Sequence, residues 1–361
     1  MLIKDSTRFH IHESLKGYFP GCGGDGSEAG VSIQFEYDLK QGNVTDLDLA
    51  AGLYRDSTDA HRKRKSIQPK DLIIRDLGYY HNDVIRYIAV NRAYYISRLY
   101  ANCNVYRQLR GSEKMDFGQL YYQMTQNGER TRDVNVYLTK ERIPSRLTIV
   151  LMPEKVYEKR ILERKRKNKY RPKSKSRSKD PVKRAEHNAR IEGQKSYAIS
   201  DEFKDRAHFN LFISNISIED LSADEIARFY RVRWQIELGF KIWKSLIHIH
   251  EIGKVKYERL VCFIYMSLLW IVIHWKILLP YQHFLYQQQG RLISIFKAMD
   301  TLKDHCRKIR NLLRASKIVA GKELRRLYTF LADYQWLEKK KNKESFSDLY
   351  PLLFCKSNIY D

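Results

Sequence analysis

Residues 1–100 carry the hydrophobic and polar patterns of a β-sheet. Residues 31–39 alternate apolar and polar side chains without a break, which predicts a half-buried strand. The turn Gln41-Gly42-Asn43 predicts that 44–51 returns as its hairpin partner. Further strands are predicted at 1–6, where the strand ends at Asp5, and at 72–79 and 93–99, with a helix over 82–91. These elements together predict a mixed α/β fold.

The pattern changes between about 101 and 205. Strand-like runs at 134–138 and 147–152 lead into 159–184, where fourteen of twenty-six residues are Lys or Arg. Because this basic segment has little apolar surface to bury, it is interpreted as an extended or mobile arm. Such a segment either contacts DNA phosphates or keeps the chain soluble. A strand pattern returns at 208–216.

The chain after residue 222 has helical periodicity. Ser222 and Glu225 have the spacing of a capping box, which predicts one helix over 222–245. Its apolar stripe consists of Phe229, Val232, Ile236, Phe240, Trp243 and Ile247. The apolar run 260–279 has the length of a membrane span, but His274 and Lys276 interrupt it, which favours a buried core helix. Amphipathic, basic helices are predicted at 293–318 and 322–337.

The charge of the chain indicates the class of partner. The 66 Lys and Arg residues against 42 Asp and Glu residues give a net charge of +24. A surplus of this size is typical of proteins that bind polyanions, so nucleic acid is the expected partner and a membrane surface is the second choice. The five cysteines are scattered without a C-x2-C pair, which indicates neither a disulfide framework nor a zinc site.

A second stripe on the 222–245 helix combines one acid with a phenol and three cations. Its members are Tyr230, Arg233, Glu237, Lys241 and Lys244. The simplest interpretation is a solvated helix face with i,i+4 ion pairs. The functional interpretation is a carboxylate that holds a metal while its neighbours bind phosphates.

The spacing Tyr230-x2-Arg233-x3-Glu237-x6-Lys244 resembles the Y-R-E-K signature of DDE transposases of the insertion sequence four type, which are enzymes of bacterial mobile elements. The resemblance implies a ribonuclease H-like core, a mixed five-stranded sheet with flanking helices that is interrupted by a β-rich insertion. The implied organisation is a first core part at 1–100, an insertion with a basic arm at 101–205, a second core part at 206–285 and a helical C-terminal region at 286–361.

The same resemblance implies a catalytic and metal-binding triad of Asp5, Asp76 and Glu237. Clustered carboxylates suit Mg²⁺, with Mn²⁺ as a substitute, and a pair of such ions catalyses phosphodiester cleavage. Asp133 is the rival for the second acid, but it begins an exposed-looking strand and is assigned to the insertion. Asp56 repeats the Asp-Ser-Thr tripeptide of Asp5, yet it precedes a helical segment and is interpreted as a helix cap.

Tyr230, Arg233, Lys241 and Lys244 are then the expected DNA-binding residues. The family grips the strand around a flipped base, on which Trp234 could stack unless it belongs to the core. The implied partners are transposon ends and target DNA, bound by a homodimer in a synaptic complex. The expected location is the bacterial cytoplasm at the nucleoid, with no membrane partner.

The start of the chain departs from the family, whose members usually carry a helical segment before the first acid. Only four residues precede Asp5, so either the chain is truncated or its start has been placed too late. This chain by itself is expected to bind DNA with little sequence preference. Two other functions stay open. One is a ribonuclease H-like nuclease or resolvase that cuts without joining, and the other is a non-catalytic, basic DNA-binding remnant.

Overall fold

The computed structural model describes residues 1–22, 27–169, 181–182, 185, 199–312, 314–338 and 344–355. These residues form two compact units. The first unit comprises Met1–Ser97, Asn215–Asp220 and Glu225–Asp361, and the second comprises Arg98–Ser214 and Leu221–Asp224. Both helices and strands are present, so the predicted mixed α/β class is confirmed.

The strands of the first unit form a mixed arrangement in the order β3-β2-β1-β4-β5. The strands β1, β2 and β3 pair antiparallel, whereas β4 pairs parallel with both β1 and β5. Their bounds are β1 Leu2–His10, β2 Gly30–Asp38, β3 Val44–Ala51, β4 Leu72–Arg75 and β5 Tyr94–Arg98. The predicted hairpin is confirmed, and Gly42 adopts φ 69° in its turn, a conformation that glycine tolerates without strain.

The predicted end of the first strand at Asp5 is wrong. The strand β1 pairs with β2 along its whole length, from Leu2 opposite Asp38 to His10 opposite Gly30. Its parallel partner β4 is much shorter, and their last register pair is Lys4 with Arg75. Asp5 therefore lies inside a strand, at the point where the neighbouring parallel strand stops.

The prediction that β2 is half-buried is also wrong, because both of its faces are covered. Ser32, Gln34 and Glu36, the polar side of the alternation, are at most 3% exposed. Arg75 Nη2 donates to Glu36 Oε2 at 2.6 Å, and the Tyr79 hydroxyl donates to Gln34 Oε1. The polar face is thus an interior in which side chains supply each other with hydrogen-bond partners.

Two helices of the first unit lie between its strands, and the others follow β9 in the chain. They are α1 Asp56–Lys63 and α2 Asn82–Val90, and later in the chain α6 Ala223–Val232, α7 Trp234–Ser245, α8 Tyr257–Gln289, α9 Ile295–Asp304, α10 Cys306–Leu312, α11 Lys317–Tyr334, α12 Phe346–Leu349 and α13 Leu352–Cys355. The predicted helix at 293–318 is therefore divided between α9, α10 and the start of α11.

The core of the first unit lies where α7 and α8 pack on β2. The Phe35 ring lies 4.9 Å from the Trp243 ring and 6.3 Å from the Trp275 ring, measured between centroids. Phe229, Val232 and Ile236 are fully buried, as the predicted apolar stripe requires. This packing fixes α7 against the sheet.

Helix α8 is only partly the buried core helix that the sequence predicts. Leu260, Ile264 and Leu268 are buried, but Met266 and Leu269 are 60% and 52% exposed. By length and composition alone, the helix is long and apolar enough to cross a membrane. Within its 18-residue apolar stretch, 33% is buried inside the protein. One face of α8 therefore belongs to the core, and another face is apolar and exposed.

The second unit is built on four antiparallel strands in the order β9-β8-β7-β6. Its strands are β6 Val105–Tyr106, β7 Thr131–Leu138, β8 Ile143–Leu151 and β9 Phe209–Ser214. Its helices are α3 Phe117–Gln126, α4 Glu154–Lys169 and α5 Asp201–Ala207. Strand β9 pairs with β8 and lies in this unit.

The first part of the predicted basic arm is a helix. Residues 159–169 belong to α4, so the extended conformation expected from the sequence is wrong there. Arg160 joins α4 to the rest of the second unit by donating to the carbonyls of Ala207 and Phe209, at 2.8 and 2.7 Å. Most of the remainder of the predicted arm, 170–180 and 183–184, lies outside the described residues.

Candidate active site

The Tyr230-to-Lys244 stripe lies on two helices rather than on one. Helix α6 ends at Val232 and α7 begins at Trp234, with Arg233 between them. The Arg233 amide donates to the Tyr230 carbonyl at 3.2 Å, and the Ile236 amide donates to the Arg233 carbonyl at 3.1 Å. Both bonds span three residues, as in a 3₁₀ turn, and such turns within helices are frequent at functional hinges.

Asp5 and Asp76 are brought together by the parallel strands β1 and β4. Each follows directly after the last register pair, Lys4 with Arg75. Asp76 keeps an extended backbone, with φ −68° and ψ 161°, so it continues the course of β4 by one residue. The two acids therefore lie on neighbouring chain segments at the edge where β4 ends.

Glu237 reaches the same edge because α7 covers the sheet face that carries Asp5. Asp5 lies opposite Phe35 in the β1–β2 register, and Phe35 packs against Trp243 of α7. Glu237 lies between one and two turns before Trp243 on the same helix. The packing of α7 therefore places its acid near the acids of the two strands.

Arg233 contacts all three acids. Its Nη1 donates to Asp5 Oδ2 at 2.9 Å, and its Nη2 donates to Glu237 Oε1. The same Nη2 lies 4.0 Å from Asp76 Oδ1. Because one guanidinium spans only a few ångströms, the three carboxylates converge on one small region of the first unit.

The electrostatics of this cluster depend on its partial burial. The pKa of Asp5 is raised to about 6, chiefly by burial; the charges of Asp76 and Glu237 add to the rise, and the Ser6 amide and Arg233 oppose it. Burial alone would lower the pKa of Arg233, but Tyr230 and the carboxylates raise it, so this guanidinium stays charged. The cluster therefore favours a cation among its acids.

The three carboxylates fit a divalent metal. Asp76 and Glu237 are 45% and 41% exposed at their side chains, whereas Asp5 is 17% exposed. An oxygen-only donor set that also admits water suits a hard cation such as Mg²⁺. Asp5 is the most buried of the three and lies between the other two elements, which suits a ligand shared by two ions.

The other residues of the stripe have different environments near this cluster. Tyr230 is 8% exposed, and its ring centroid lies 5.8 Å from Arg233 Cζ. Lys244 Nζ donates to the Arg8 carbonyl on β1 at 3.2 Å, and burial lowers the pKa of Lys244. The exposed Lys241 instead lies over the Phe296 ring of α9, at 6.0 Å from its centroid.

A cavity of about 650 Å³ adjoins the stripe within the first unit. Tyr230, Arg233, Trp234, Lys241 and Phe296 contribute to its lining. Trp234 is 49% exposed, so it is not a core residue, which was one of the two roles open for it. The cavity thus combines aromatic surfaces and cations beside the acid cluster.

Asp56 is not the helix cap that the sequence predicts. Arg55 occupies the N-cap position of α1, and Asp56 Oδ1 accepts hydrogen bonds instead. Its donors are Ser6 Oγ at 2.8 Å, Arg8 Nη2 at 2.7 Å and Gln34 Nε2 at 3.1 Å. The sequence does not reveal this network, because the half-buried strand predicted at 31–39 places Gln34 on its polar, water-facing side.

Asp133, the rival acid, has a structural environment in the second unit. Its carboxylate accepts from Arg146 Nε and Nη2, each at 2.9 Å, and from Thr148 Oγ1 at 2.6 Å. The Asp133 and Arg146 side chains are 11% and 6% exposed. Both of its oxygens are therefore engaged in holding β7 to β8.

Comparison with known proteins finds a matching protein family and several similar proteins. The family model described as a transposase DDE domain matches residues 1–273. The chain is 30% identical over 317 residues to a transposase for insertion sequence element IS231E of Bacillus thuringiensis subsp. finitimus, with 84% of this chain and 61% of the relative covered.

Two further relatives have matching names. The transposase for element IS231C of Bacillus thuringiensis subsp. berliner is 28% identical, over 98% of this chain and 72% of the relative. The transposase for element IS1151 of Clostridium perfringens is 24% identical, over 99% and 73%. The chain thus spans about three-fifths to three-quarters of the length of these relatives.

Proposed function

Because this chain belongs to the transposase DDE domain family, we propose that it cuts DNA at the ends of an insertion sequence and joins those ends to target DNA. The observation that supports this proposal is the convergence of Asp5, Asp76 and Glu237 around Arg233. Three acids from two strands and a helix, with a partly exposed surface, form a site where a phosphodiester and metal ions can meet.

We propose that Asp5, Asp76 and Glu237 hold Mg²⁺, for which Mn²⁺ can substitute. When bound, a pair of such ions supplies an activated water or 3′-hydroxyl and stabilises the leaving oxygen of an in-line displacement. Asp5 is assigned as the shared ligand because it is the most buried, and Asp76 and Glu237 each complete one site. Their partial exposure leaves room for phosphate oxygens.

Tyr230, Arg233, Lys241 and Lys244 are the proposed DNA-binding residues. Arg233 presents a planar fork suited to a phosphate, and it already touches the proposed ligands. Lys244 lies beside β1, and Lys241 lies at the cavity, so the cations are spread along α7 on either side of the acids. This arrangement suits a backbone that crosses the acid cluster.

The proposed fold assignment is a ribonuclease H-like core with an insertion. The order β3-β2-β1-β4-β5, with an antiparallel hairpin and parallel β4 and β5, supports it. We keep the proposed parts 1–100 and 206–285 for the core, 101–205 for the insertion and 286–361 for the C-terminal region. The proposed insertion is supported by the second compact unit, which comprises Arg98–Ser214 and Leu221–Asp224.

The proposed partners are the two transposon ends, the target DNA and a second copy of the chain. Two ends must be held together for concerted joining, and a synaptic homodimer supplies one active site for each end. The exposed apolar face of α8, with Met266 and Leu269, is a surface that such a partner would cover. Action on bacterial DNA places the protein in the cytoplasm.

A strand-transfer assay tests the proposed function. Pre-cleaved ends with free 3′-hydroxyls are offered with a target plasmid and Mg²⁺, and joined products are counted. Joining by the wild-type chain, lost in Glu237→Gln while DNA binding is kept, supports a transposase. Cutting of uncleaved DNA without any joining would instead indicate a nuclease or resolvase.

A further inference from the structure

Two histidines and an aspartate form a second cluster of metal-ligand type on the first unit. His61 lies on α1, His81 is the N-cap of α2, and Asp83 lies in the first turn of α2. One ligand atom of each residue can be chosen so that all three lie within 4.8 Å of one another. None of the three belongs to the acid cluster or to the Tyr230-to-Lys244 stripe.

The geometry of this cluster is close to that of a coordination site. His61 Nδ1 and His81 Nδ1 each lie 3.8 Å from Asp83 Oδ2. Because His81 Nδ1 accepts a hydrogen bond from the Asp83 amide at 3.2 Å, His81 would bind a metal through Nε2. The two imidazole rings are 5.0 Å apart between centroids and tilted by 55°, so they are not stacked. Tetrahedral sites with metal–ligand bonds of about 2.0–2.2 Å place neighbouring ligand atoms roughly 3.3 Å apart, so small side-chain rotations suffice.

The state of the His61 ring is a second, independent observation. The ring as a whole is 43% exposed, but its Nδ1 atom is buried and has no hydrogen-bond partner among the described residues. Buried ring nitrogens are normally satisfied, so an unsatisfied one that faces a carboxylate needs an explanation. A cation shared with Asp83 would supply it.

We propose that His61, His81 and Asp83 bind a transition-metal dication of the Zn²⁺ class. Neutral imidazole suits Zn²⁺, Ni²⁺ or Co²⁺, whereas Mg²⁺ takes oxygen ligands. This chemistry distinguishes the site from the three acids proposed to hold Mg²⁺. The partial exposure of the side chains leaves a fourth position for water and indicates a site of moderate affinity.

The position of the cluster gives it a structural role. Asp76 is followed by a 3₁₀ turn at Leu77–Tyr79, and His81 comes two residues later. Helix α1 packs on this turn so closely that a Cβ on Gly78 would lie 3.0 Å from Asp56 Oδ2. A metal that joins His61 of α1 to the start of α2 therefore braces the segment that carries Asp76.

The test is a Zn²⁺ titration of the full chain, followed by calorimetry, with excess Mg²⁺ and a thiol-free reductant present. Wild type should bind one equivalent that His61→Ala and Asp83→Asn each weaken by at least about tenfold, since even outer-shell partners of metal ligands contribute 10–100-fold. Zn²⁺ should also raise the Tm of wild type but not of His61→Ala. Circular dichroism establishes that both variants are folded.

His248→Ala is the matched control. His248 and His250 lie near Glu251 in the same unit, with His248 Nδ1 at 2.8 Å and His250 Nε2 at 3.8 Å from Glu251 Oε1, and the exposure of these side chains is similar to that of the proposed ligands. The control should bind Zn²⁺ as wild type does. Unchanged Zn²⁺ affinity in His61→Ala, or a loss that follows His248→Ala instead, would overturn the assignment, and neither result depends on DNA cleavage.

Discussion

Arg233 supplies the positive charge among three acids that would otherwise repel one another. It donates to Asp5 and Glu237 and lies 4.0 Å from Asp76. A bound dication would compensate the same carboxylates. The guanidinium and the metal are therefore expected to compensate partly for each other's loss.

This compensation gives a prediction for Arg233→Gln. The variant should be less stable than wild type in EDTA, and Mg²⁺ should raise its Tm by more than it raises that of wild type. Thermal unfolding with EDTA and with Mg²⁺ measures both effects. Arg231→Gln is the control, since Arg231 pairs with Glu344 and makes no ion pair with the three acids. Equal Mg²⁺-induced shifts in Arg233→Gln and wild type would contradict the prediction.

Asp46 gives a prediction about pH. Burial raises its pKa, but Lys4 and Lys63 outweigh burial and hold the pKa below its ordinary value. A depressed folded-state pKa means that this stabilisation is present above about pH 3.9 and is lost as the pH falls below it.

Asp46→Asn should therefore destabilise the protein at pH 7, and its difference from wild type should shrink below about pH 4. Urea unfolding at several pH values measures this difference. Asp224→Asn, a change of an exposed acid, should have a small effect throughout the same range. If the difference in free energy of unfolding between Asp46→Asn and wild type grew on acidification, the prediction would be contradicted.

At the scale of single residues, the sequence could supply candidates but not their contacts. The identities Asp5, Asp76 and Glu237 came from a spacing pattern and a family resemblance. The contact between Arg233 and Asp5 joins residues 228 positions apart, and no local pattern encodes it. Asp56 shows the converse failure, since the helical segment after it suggested a cap while its partners lie on β1 and β2.

In a sheet with one face on the core and one face in water, the polar side of each strand is solvated. In this sheet the polar face of β2 is buried. Glu36 and Arg75 form an ion pair whose side chains are 4% and 6% exposed. Removing one partner of such a pair leaves the other charge buried and uncompensated.

Glu36→Ala should accordingly lower the free energy of unfolding by about 3–5 kcal/mol. The comparison is Glu28→Ala, which breaks an ion pair with Lys16 in which both side chains are more than half exposed. That change should cost much less, because exposed ion pairs contribute little to stability. Denaturant unfolding measures the free energy of unfolding of both variants. A loss for Glu36→Ala as small as that for Glu28→Ala would mean that Glu36 is solvated.

Element by element, the order of strands and helices in the first hundred residues followed from the hydrophobic pattern. A period of two distinguishes the faces of β2, but it cannot say whether the polar face meets water or another polar layer. Likewise, the helical period runs through the 3₁₀ turn at Arg233 almost unchanged, so the pattern cannot reveal the break between α6 and α7.

The net charge of +24 governs the behaviour of the whole molecule toward DNA. If about six to ten phosphates are neutralised, affinity for DNA should fall roughly 10³–10⁵-fold between 50 and 200 mM salt. Fluorescence anisotropy with a labelled duplex measures this dependence. A flat response would argue against binding through the DNA backbone.

Helix α4 allows a variant that separates general charge from the acid cluster. Changing its exposed Lys165, Arg166 and Lys167 to glutamine should reduce the salt slope by about one unit for each phosphate that these side chains neutralise in wild type. Mg²⁺-dependent chemistry at saturating DNA should remain. An unchanged salt slope would show that α4 does not bind the DNA.

At the scale of the chain, composition indicates a class of partner but does not fix the conformation of a segment. The basic run looked extended because its composition lacks apolar residues, yet its first part is helical and anchored through Arg160.

The most direct test of the central claim is the rate of Mg²⁺-dependent cleavage of DNA that carries insertion-sequence ends. A bound metal contributes several kcal/mol to such reactions, so Asp5→Asn, Asp76→Asn and Glu237→Gln should each slow cleavage by about a hundredfold or more. DNA binding should be retained, and Asp224→Asn should cleave as wild type does. Cleavage at the wild-type rate by folded, DNA-bound triad variants would contradict the assignment of these acids.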